Sequence, residues 1–473
     1  MTKKSNPTHF NTEQIRHEDN DHWLHPWESL RDIGQANRPI IEHADGIYVY
    51  DEQGDKLLDC SAGMWCVQIG YGRQAMADAI ATQVKRLPYM SPFSLTSEPS
   101  ARLAKKLAEL APADLTHVFF TTDGSTAVDS ALRVVHIYNN LLNRPHKKHI
   151  IIQGNAYHGS TYLCGLVTSR FIEKSWFDVS SPFVHTLSSI ADRYRNPPMN
   201  TQDFCAAAVL EFKNKILELG PENVGCFIAE PIQASGGVII PPDSYLRQCW
   251  ELCRQNDIIY ISDEIVTGFG RLGHWFASKD VFDIEPDIIT CAKGLSSGYL
   301  PIGAMLLSDK ILQKMGHEHA RNALFSQGFT YSGHPVCCAA ALKNIEIFEQ
   351  ENLLQHVRDI SSYFQAKLHE LRAISMVSET RGMGLLGAVE CHINVRCKKD
   401  EMLAWYAKLG KCIMRHAHEL GLLLRFVDNT VVLSPPLTIT KEEIDELFTG
   451  LHRSLELAMH EMESELKESH HTK

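Results

Sequence analysis

Short, continuous runs of apolar residues recur through the middle of the chain, and they limit most strongly what it can fold into. The runs are 115–121, 149–153, 225–230, 258–262, 287–291 and 302–307. Because they do not alternate with polar residues, they are typical of strands that helices cover on both faces. Segments with helical spacing of apolar residues separate several of them. The sequence therefore predicts an α/β fold with a central, mostly parallel sheet.

The pattern changes towards both ends of the chain. Residues 1–45 are polar without a strong period, which predicts an arm that lies on a larger body. Two short β-rich runs between Asp45 and Asp59, separated by a glycine-containing turn, predict a hairpin. Beyond about residue 335, amphipathic helices alternate with a few strands, including one from Thr430 to Leu433. We predict an N-terminal arm with a segment of a small domain (1–74), a large α/β domain (75–335) and a small α+β domain (336–473).

Composition narrows the function classes. The chain has 46 Lys and Arg against 57 Asp and Glu, and this net charge of −11 argues against a nucleic-acid partner. No apolar run is long enough to span a membrane. The 13 cysteines are scattered, and the N-terminus MTKKSNPTHF lacks the apolar stretch of a signal peptide. We therefore expect reduced thiols in a cytoplasmic protein.

Polar residues follow four of the predicted strands directly. They are Gly124 and Ser125, which open a helix, and then Glu230, Asp263 and Lys293. Ligands bind beyond the carboxyl ends of parallel strands, so we expect these residues to surround one crevice. The N–H groups at a helix start bind phosphate, and burial makes a lysine amine nucleophilic. Each feature alone has an ordinary structural explanation, but together they match the needs of pyridoxal phosphate.

Four separated segments resemble, in order and spacing, the class III aminotransferases of the aspartate-aminotransferase-like pyridoxal-phosphate fold. They are SAGMWCVQIGYGR (61–73), YHG (157–159), DEIVTGFGR (263–271) and AKGLSSGYLPIGA (292–304), and FTYSGHP (329–335) and RGMG (381–384) add to the resemblance. The resemblance covers nearly the whole chain. It implies a fold type I transferase with a seven-stranded, mostly parallel sheet and a smaller α+β domain.

The resemblance also implies the catalytic residues. Lys293 is expected to form the Schiff base with pyridoxal phosphate, and Asp263 to pair with the pyridinium nitrogen. A protonated ring draws electrons from the substrate carbon, and the released Lys293 amine is then the nearest base. Tyr157 and Ile265 are expected on the two faces of the ring.

The remaining cofactor-binding residues follow from the same segments. Gly124 and Ser125 are expected to hold the phosphate, and His158 and Glu230 to complete the site. Thr330 resembles the phosphate ligand that the neighbouring subunit donates in this family. A homodimer with a shared active site is therefore expected.

Two departures narrow the subgroup. Ornithine- and 4-aminobutyrate-type members carry Gln and Glu where this chain has Val266 and Ser235. In those members the Glu pairs with an arginine, so the corresponding Arg425 has no such partner here. The combination is similar to ω-amino acid or amine:pyruvate aminotransferases, in which this arginine admits either a carboxylate or an apolar group.

The resulting expectation is a ping-pong transfer of an amino group from an ω-amino acid or amine to pyruvate or another 2-oxo acid. Trp65, Phe93 and Tyr157 would line the substrate pocket together with Arg425. The natural donor, the preferred acceptor and the stereochemical preference stay open at this point, and so does a dimer against a tetramer.

An extra carboxylate, Asp123, stands next to the expected phosphate site, and Thr126 replaces the glutamate of the commoner GSE form. Because a carboxylate repels a phosphate, two arrangements are possible. Either Asp123 turns away to cap the helix, or the cofactor is held less tightly.

Other functions fit less well. A 7,8-diaminopelargonate aminotransferase with S-adenosylmethionine as donor is the main alternative, because its members share an HP-containing N-terminal segment and an unmasked arginine. Residues 268–273 spell G-x-G-x-x-G, but five residues separate this motif from the preceding strand, which argues against a dinucleotide site. A binding protein without activity would lack core cofactor residues, and none is missing. His416 and His418 have no companion ligands along the sequence, so we expect no metal.

Overall fold

Fifteen strands form three sheets in the computed structural model, which describes residues 10–170, 176–193, 199–316, 323–393 and 399–471. The strands are β1 (Ile41–Asp45), β2 (Tyr48–Asp51), β3 (Lys56–Asp59), β4 (His117–Thr121), β5 (His149–Ile152), β6 (Val184–Thr186), β7 (Val224–Ala229), β8 (Ile259–Asp263), β9 (Ile288–Cys291), β10 (Gly303–Leu307), β11 (Val377–Met383), β12 (Leu386–Cys391), β13 (Leu422–Leu423), β14 (Arg425–Val427) and β15 (Thr430–Leu433).

Helices connect and cover these strands. They are α1 (Thr12–His22), α2 (Ala62–Trp65), α3 (Gln74–Arg86), α4 (Glu98–Leu110), α5 (Gly124–Leu141), α6 (Tyr162–Val167), α7 (Ile190–Arg193), α8 (Thr201–Leu219), α9 (Tyr245–Gln255), α10 (Ala277–Asp280), α11 (Asp309–Met315), α12 (Pro335–Gln350), α13 (Leu353–Glu370), α14 (Lys399–Glu419) and α15 (Lys441–His471). Lys293–Leu295 and Leu371–Ala373 form single 3₁₀ turns.

The largest sheet confirms the predicted α/β fold. Its seven strands follow the order β4-β10-β9-β8-β7-β5-β6. All neighbouring pairs are parallel except the two that involve β10, which runs antiparallel to β4 and β9. No helical crossover of the usual length separates β9 from β10 in this described part of the chain, and a direct return gives an antiparallel pair. Apolar side chains pack on both faces, as the continuous runs predicted.

Two smaller sheets bring the two ends of the chain together. One has the order β1-β2-β3-β13, in which Leu58 pairs in parallel with Leu422. The other has the order β11-β12-β15-β14 and includes the predicted strand from Thr430. The expected hairpin over 45–59 is one part of a three-stranded meander, because β1 begins earlier, at Ile41. The domain boundaries given above stay a prediction.

The glycine-rich segment 268–273 forms consecutive turns, and the helix that follows, α10, has only four residues. A dinucleotide motif needs a long helix there, so this geometry does not suit it. Arg271 within the segment is fully buried and donates hydrogen bonds to the carbonyl oxygens of Leu385 and Pro435 and to Gln68. Arg271 therefore links its own segment to three others that are distant in the sequence, those of Gln68, Leu385 and Pro435.

The N-terminal arm contains one regular element that the sequence pattern did not predict. Helix α1 begins after Asn11, whose side chain accepts a hydrogen bond from the Gln14 amide. Its polar composition hides the period, since none of its residues is buried. Among the described residues, no helix is both long and apolar enough to cross a membrane. The twelve described cysteines are all free thiols.

Candidate active site

A cavity of about 530 Å³ opens at the edge where the parallel strands of the large sheet end. The expected residues that line it are Gly124, Ser125, Tyr157, His158, Glu230, Asp263, Ile265 and Lys293. The structure therefore brings the helix start, two carboxylates and the lysine to one place. Asp123, Ser235 and Cys66 line the same cavity.

Asp263 ends β8 and is held by three neighbours. Its Oδ1 accepts hydrogen bonds from the Ile265 amide and from Thr290 Oγ1, each at 3.2 Å. Its Oδ2 lies 2.7 Å from His158 Nδ1, and the side chains of this pair are almost completely buried. The Nε2 atom of His158 is buried without a hydrogen-bond partner. The carboxylate is thus fixed in orientation and faces the cavity.

Lys293 follows β9 at the start of a 3₁₀ turn, and its backbone has a positive φ of 42°. Its Nζ lies 5.1 Å from the centre of the Trp65 ring. Burial lowers the pKa of the Lys293 amine, while the neighbouring Cys66, Asp263 and Glu230 act in the opposite direction. Lowering the pKa increases the fraction of unprotonated amine, which is the nucleophilic form.

The start of α5 forms a cradle of small residues. A Cβ atom at Gly124 would lie 2.7 Å from Ile265 Cδ1, so no larger residue fits there unless Ile265 moves. A Cβ atom at Gly159, which has a φ of +129°, would lie 2.5 Å from Ser125 Oγ. Ser125 Oγ accepts a hydrogen bond from the Ser160 amide at 3.2 Å. Free N–H groups at such a helix start favour an anion.

Asp123 caps this helix, as one of the two expected arrangements required, although it also lines the cavity. Its Oδ1 accepts a hydrogen bond from the Thr126 amide at 3.0 Å. Thr126 Oγ1 accepts in turn from the Asp123 amide at 3.1 Å, which completes a capping box. The threonine that replaces the commoner glutamate therefore has a structural use.

Replacing Asp123 by alanine is expected to lower the free energy of unfolding by about 0.5–2 kcal/mol, because the cap is lost. Asp123→Asn keeps a capping side chain but removes its charge, so it should lose less stability and bind phosphate more tightly. Urea unfolding of the cofactor-free protein and a phosphate titration measure the two effects. Equal stability of the alanine variant and wild type would contradict the capping role.

Glu230 follows β7 and lies behind Tyr157. Its Oε1 accepts from the Tyr157 amide at 3.0 Å, and its Oε2 from the Ala234 amide at 3.2 Å. Burial raises the pKa of Glu230 to about 7, although His158 lowers it. The contacts position the backbone of the YHG segment at the cavity wall.

Arg425 begins β14 and lies beside Trp65, on the side of the chain where Trp65 neighbours Lys293. Its guanidinium carbon lies 4.6 Å from the centre of the Trp65 ring, which also faces Lys293. Its Nε is buried without a hydrogen-bond partner. Burial and then the charge of Arg170 lower the pKa of Arg425. Among the described residues, no carboxylate forms an ion pair with Arg425.

Four expected site residues are not among those that line this cavity. Trp65 lies next to Lys293 and Arg425 lies next to Trp65, whereas Phe93 and Thr330 lie elsewhere. The side chain of Phe93 is exposed, as is Thr330. They lie near each other, because a Cβ atom at Gly328 would contact the Phe93 ring and Tyr89 donates a hydrogen bond to the Thr330 carbonyl. The chain thus presents both residues on one surface, away from its own Lys293 cavity.

Sequence reasoning missed two residues near the cavity. Trp27 lies in the N-terminal arm, and its ring centre is 6.3 Å from that of Tyr157. Arg170 donates a hydrogen bond to the Ser235 carbonyl in the cavity wall. Arg170 belongs to no segment with a recognisable motif, and Trp27 follows an HP pair that was used only to weigh the subgroup, so only the folded structure places them near the cavity.

His416 and His418 acquire companions through tertiary contacts that the sequence did not show. His418 lies near Asp51 and Asp55, and His416 near Cys412 and Glu461. In the second group the Arg415 guanidinium already contacts Glu461 at 2.5 Å and His416 at 3.2 Å. Arginine therefore supplies the positive charge there. In the first group His418 Nε2 itself lies 3.3 Å from Asp51 Oδ2, and we propose no metal for either group.

The profile of the family Aminotransferase class-III matches residues 33–455. A putrescine–pyruvate aminotransferase of Pseudomonas aeruginosa is 38% identical over 441 residues, which cover 92% of this chain and 94% of that protein. A mitochondrial gamma aminobutyrate transaminase 1 of Solanum lycopersicum is 38% identical over 411 residues, covering 86% and 79% of the two chains.

A solved structure gives the same result for the fold. The omega transaminase from Pseudomonas jessenii in complex with PMP superimposes with a TM-score of 0.89 at 32% sequence identity. The superposition covers 95% of this chain and 99% of that chain. The resemblance seen in the six sequence segments is therefore confirmed over nearly the full length.

Proposed function

The chain belongs to the class III aminotransferases, which depend on pyridoxal phosphate, and we propose on this basis that it transfers the amino group of an ω-amino acid or amine to pyruvate. The observation that carries the proposal is the buried Lys293 amine, which shares one cavity with the Asp263 carboxylate. The relatives do not favour the alternative donor, S-adenosylmethionine.

The residues of the cavity fit pyridoxal phosphate. Gly124, Ser125 and the start of α5 would hold its phosphate, because their small side chains leave the N–H groups accessible. Asp263 would face the ring nitrogen, with Tyr157 and Ile265 on the two ring faces. The unpartnered Nε2 of His158 is a further polar atom in a site built for a polar ligand.

When bound, pyridoxal phosphate carries the amino group and withdraws electrons from the substrate carbon that loses its proton. Lys293 Nζ would accept this proton and hold it for return, because its lowered pKa leaves the amine free to act as a base. Asp263 stays oriented by Thr290 and Ile265 throughout. Arg425 binds the carboxylate of the 2-oxo acid through its planar guanidinium, with Trp65 below it.

Visible absorption of the purified protein with pyridoxal phosphate tests the proposal. We expect a yellow band that bleaches when β-alanine or a benzylic amine is added and returns with pyruvate. A band that responds only to S-adenosylmethionine would contradict the proposed donor class. The absence of any band would contradict the cofactor assignment.

We further infer a homodimer in which Thr330 of each subunit completes the phosphate site of the other. The exposed position of Thr330 and Phe93, away from their own cavity, supports this arrangement. The free, mostly buried thiols support a reducing compartment, and we propose the cytoplasm as the location.

A heterodimer of one Lys293→Ala subunit and one Thr330→Glu subunit tests the shared site. If Thr330 acts across the interface, one of its two sites carries both substitutions and the other carries neither. We therefore expect the heterodimer, purified through two different tags, to regain activity that both parent homodimers lack. A heterodimer as inactive as its parents would place Thr330 in its own subunit's site.

A further inference from the structure

Met64 is an exposed methionine that lies against the Arg425 side chain. Its side chain is 45% exposed, which is the largest value among the described methionines. Arg425 Nη1 directs an N–H group to Met64 Sδ, although the two residues are 361 positions apart in the sequence. The Arg425 guanidinium carbon also lies 4.6 Å from the ring centre of Trp65, the residue after Met64. A solvent-exposed thioether therefore contacts the cation that is expected to bind the substrate carboxylate.

The backbone around Met64 has an unusual conformation that the neighbouring residues maintain. Ala62 and Trp65 have positive φ angles of 46° and 58°. Residues other than glycine adopt such angles only where surrounding contacts hold them. Asp59 supplies one of these contacts, because its Oδ2 accepts a hydrogen bond from the Gly63 amide at 2.6 Å. Met64 is thus presented by a constrained segment of the chain.

A thioether is a poor partner for a guanidinium group. Its sulfur is only a weak hydrogen-bond acceptor, whereas a guanidinium binds best to oxygen atoms that carry negative charge. Arg425 therefore stays available to a carboxylate while it lies against Met64. Two nearby donors are also unsatisfied, since Arg425 Nε and Trp65 Nε1 are buried without a hydrogen-bond partner among the described residues. An oxygen atom added to the Met64 sulfur would give Arg425 a much better acceptor than the thioether.

Oxidation by a peroxide adds such an oxygen. A lone pair of the sulfur attacks one oxygen of hydrogen peroxide, and the O–O bond breaks. Hydroxide leaves and takes the proton of the transferred oxygen to become water. The sulfur loses the two electrons that the peroxide gains, so one thioether and one hydrogen peroxide give one sulfoxide and one water. Methionine sulfoxide is polar, and methionine sulfoxide reductases return it to methionine.

We propose that Met64 is a redox modification site, at which the sulfoxide oxygen formed by a peroxide holds Arg425 and weakens the binding of substrates that carry a carboxylate. The inference rests on the proposed function, in which Arg425 binds the carboxylate of the 2-oxo acid. The sulfoxide oxygen competes with that carboxylate for the same guanidinium, whereas a benzylic amine has no carboxylate to be displaced. Oxidation of Met64 therefore acts mainly on the half-reaction with the 2-oxo acid.

The test treats the full-length holoenzyme with hydrogen peroxide, and catalase then removes the excess, which would otherwise consume pyruvate. Dithiothreitol next repairs reversible oxidation of thiols and is removed by gel filtration. Peptide mass spectrometry is expected to find one added oxygen on Met64. Stopped-flow absorbance then follows each half-reaction alone. The reaction at low pyruvate concentration should slow by about 10-fold and recover at saturating pyruvate, and the reaction with a benzylic amine should change much less.

Three variants and a repair step identify the residue responsible. Met64→Leu cannot gain the oxygen, so peroxide should leave its pyruvate reaction equal to that of its own untreated sample. Met64→Gln carries an amide oxygen in place of the sulfoxide oxygen, and it should slow the reaction at low pyruvate without any peroxide. Met414→Leu is the matched control, because Met414 on α14 is 37% exposed, and this variant should keep the full peroxide effect. Methionine sulfoxide reductases A and B should restore the treated wild type.

The outcomes separate this inference from the proposed function. The inference is overturned, and the aminotransferase left intact, if Met64 stays unoxidised at peroxide doses that oxidise Met414. An oxidised Met64 with an unchanged pyruvate reaction, an equal loss of both half-reactions, or an equal peroxide effect in Met64→Leu would overturn it as well. If the untreated enzyme does not react with pyruvate, the proposed acceptor is wrong, and calorimetric binding of propanoate, which cannot react, then decides. Weaker propanoate binding after oxidation of Met64 supports the inference, and unchanged binding overturns it.

Discussion

Replacing Lys293 by alanine is expected to lower the rate of transamination by about 10⁴-fold or more, because one side chain supplies both the nucleophile and the base. The Lys293 amine is buried in the cavity, and no described lysine other than Lys293 lines it. Steady-state turnover with an ω-amine and pyruvate measures the loss. Lys279→Ala, at an exposed ion pair with Asp283 and Glu285, serves as the control.

The pH dependence of the wild-type turnover rate is a second test of the role of Lys293. Lys293 works as a base only when unprotonated, and burial lowers its pKa below that of an ordinary lysine. The rate should therefore rise with pH through this lowered pKa and reach its plateau at a lower pH than a free lysine allows. Substantial turnover by the alanine variant, with normal circular dichroism, would refute the assignment.

Replacing Asp263 by asparagine is expected to leave the cofactor bound but to slow proton removal from the substrate by about 10²- to 10³-fold. A neutral amide cannot keep the ring nitrogen protonated, and it also weakens the pair with His158. A single-turnover reaction with donor alone isolates this step.

The matched control for this experiment is Asp280→Asn, an exposed carboxylate that pairs with His274 at 3.1 Å. The cofactor content of both variants is measured by absorbance after denaturation. An Asp263→Asn enzyme that binds cofactor and reacts at a near-wild-type rate would contradict this role. It would show that the Asp263 carboxylate is not needed for the cofactor ring to withdraw electrons from the substrate.

The large sheet could be predicted because burial of its strands on both faces requires continuous runs of apolar residues, which are visible in the sequence. Strands β8 and β9 are completely buried and mostly apolar, and each appeared in the sequence with nearly its observed limits. Strand β6 was missed because it has only three residues, VHT, and lies at the sheet edge. An edge strand with one neighbour is under less pressure to be continuously apolar.

The cavity was predictable to the extent that it follows from strand ends. Asp263 and Lys293 both follow strands of the same sheet, so topology alone brings them together. The contact of Arg170 with the Ser235 carbonyl depends on how separate loops fold, and no local pattern records it. The roles proposed for Phe93 and Thr330 need a second subunit, which the sequence pattern of one chain does not describe.

The pairing of β3 with β13 affects how the protein folds during its synthesis on the ribosome. Leu58 pairs with Leu422, which is synthesised about 360 residues later. At ordinary translation speeds of about 5–20 residues per second, the N-terminal meander spends roughly 20–70 s without this neighbour. During that interval Leu57 and Leu58, fully buried in the finished fold, lack their final cover. Nascent chains of this enzyme therefore have a defined period in which chaperone binding or aggregation competes with completion of this sheet.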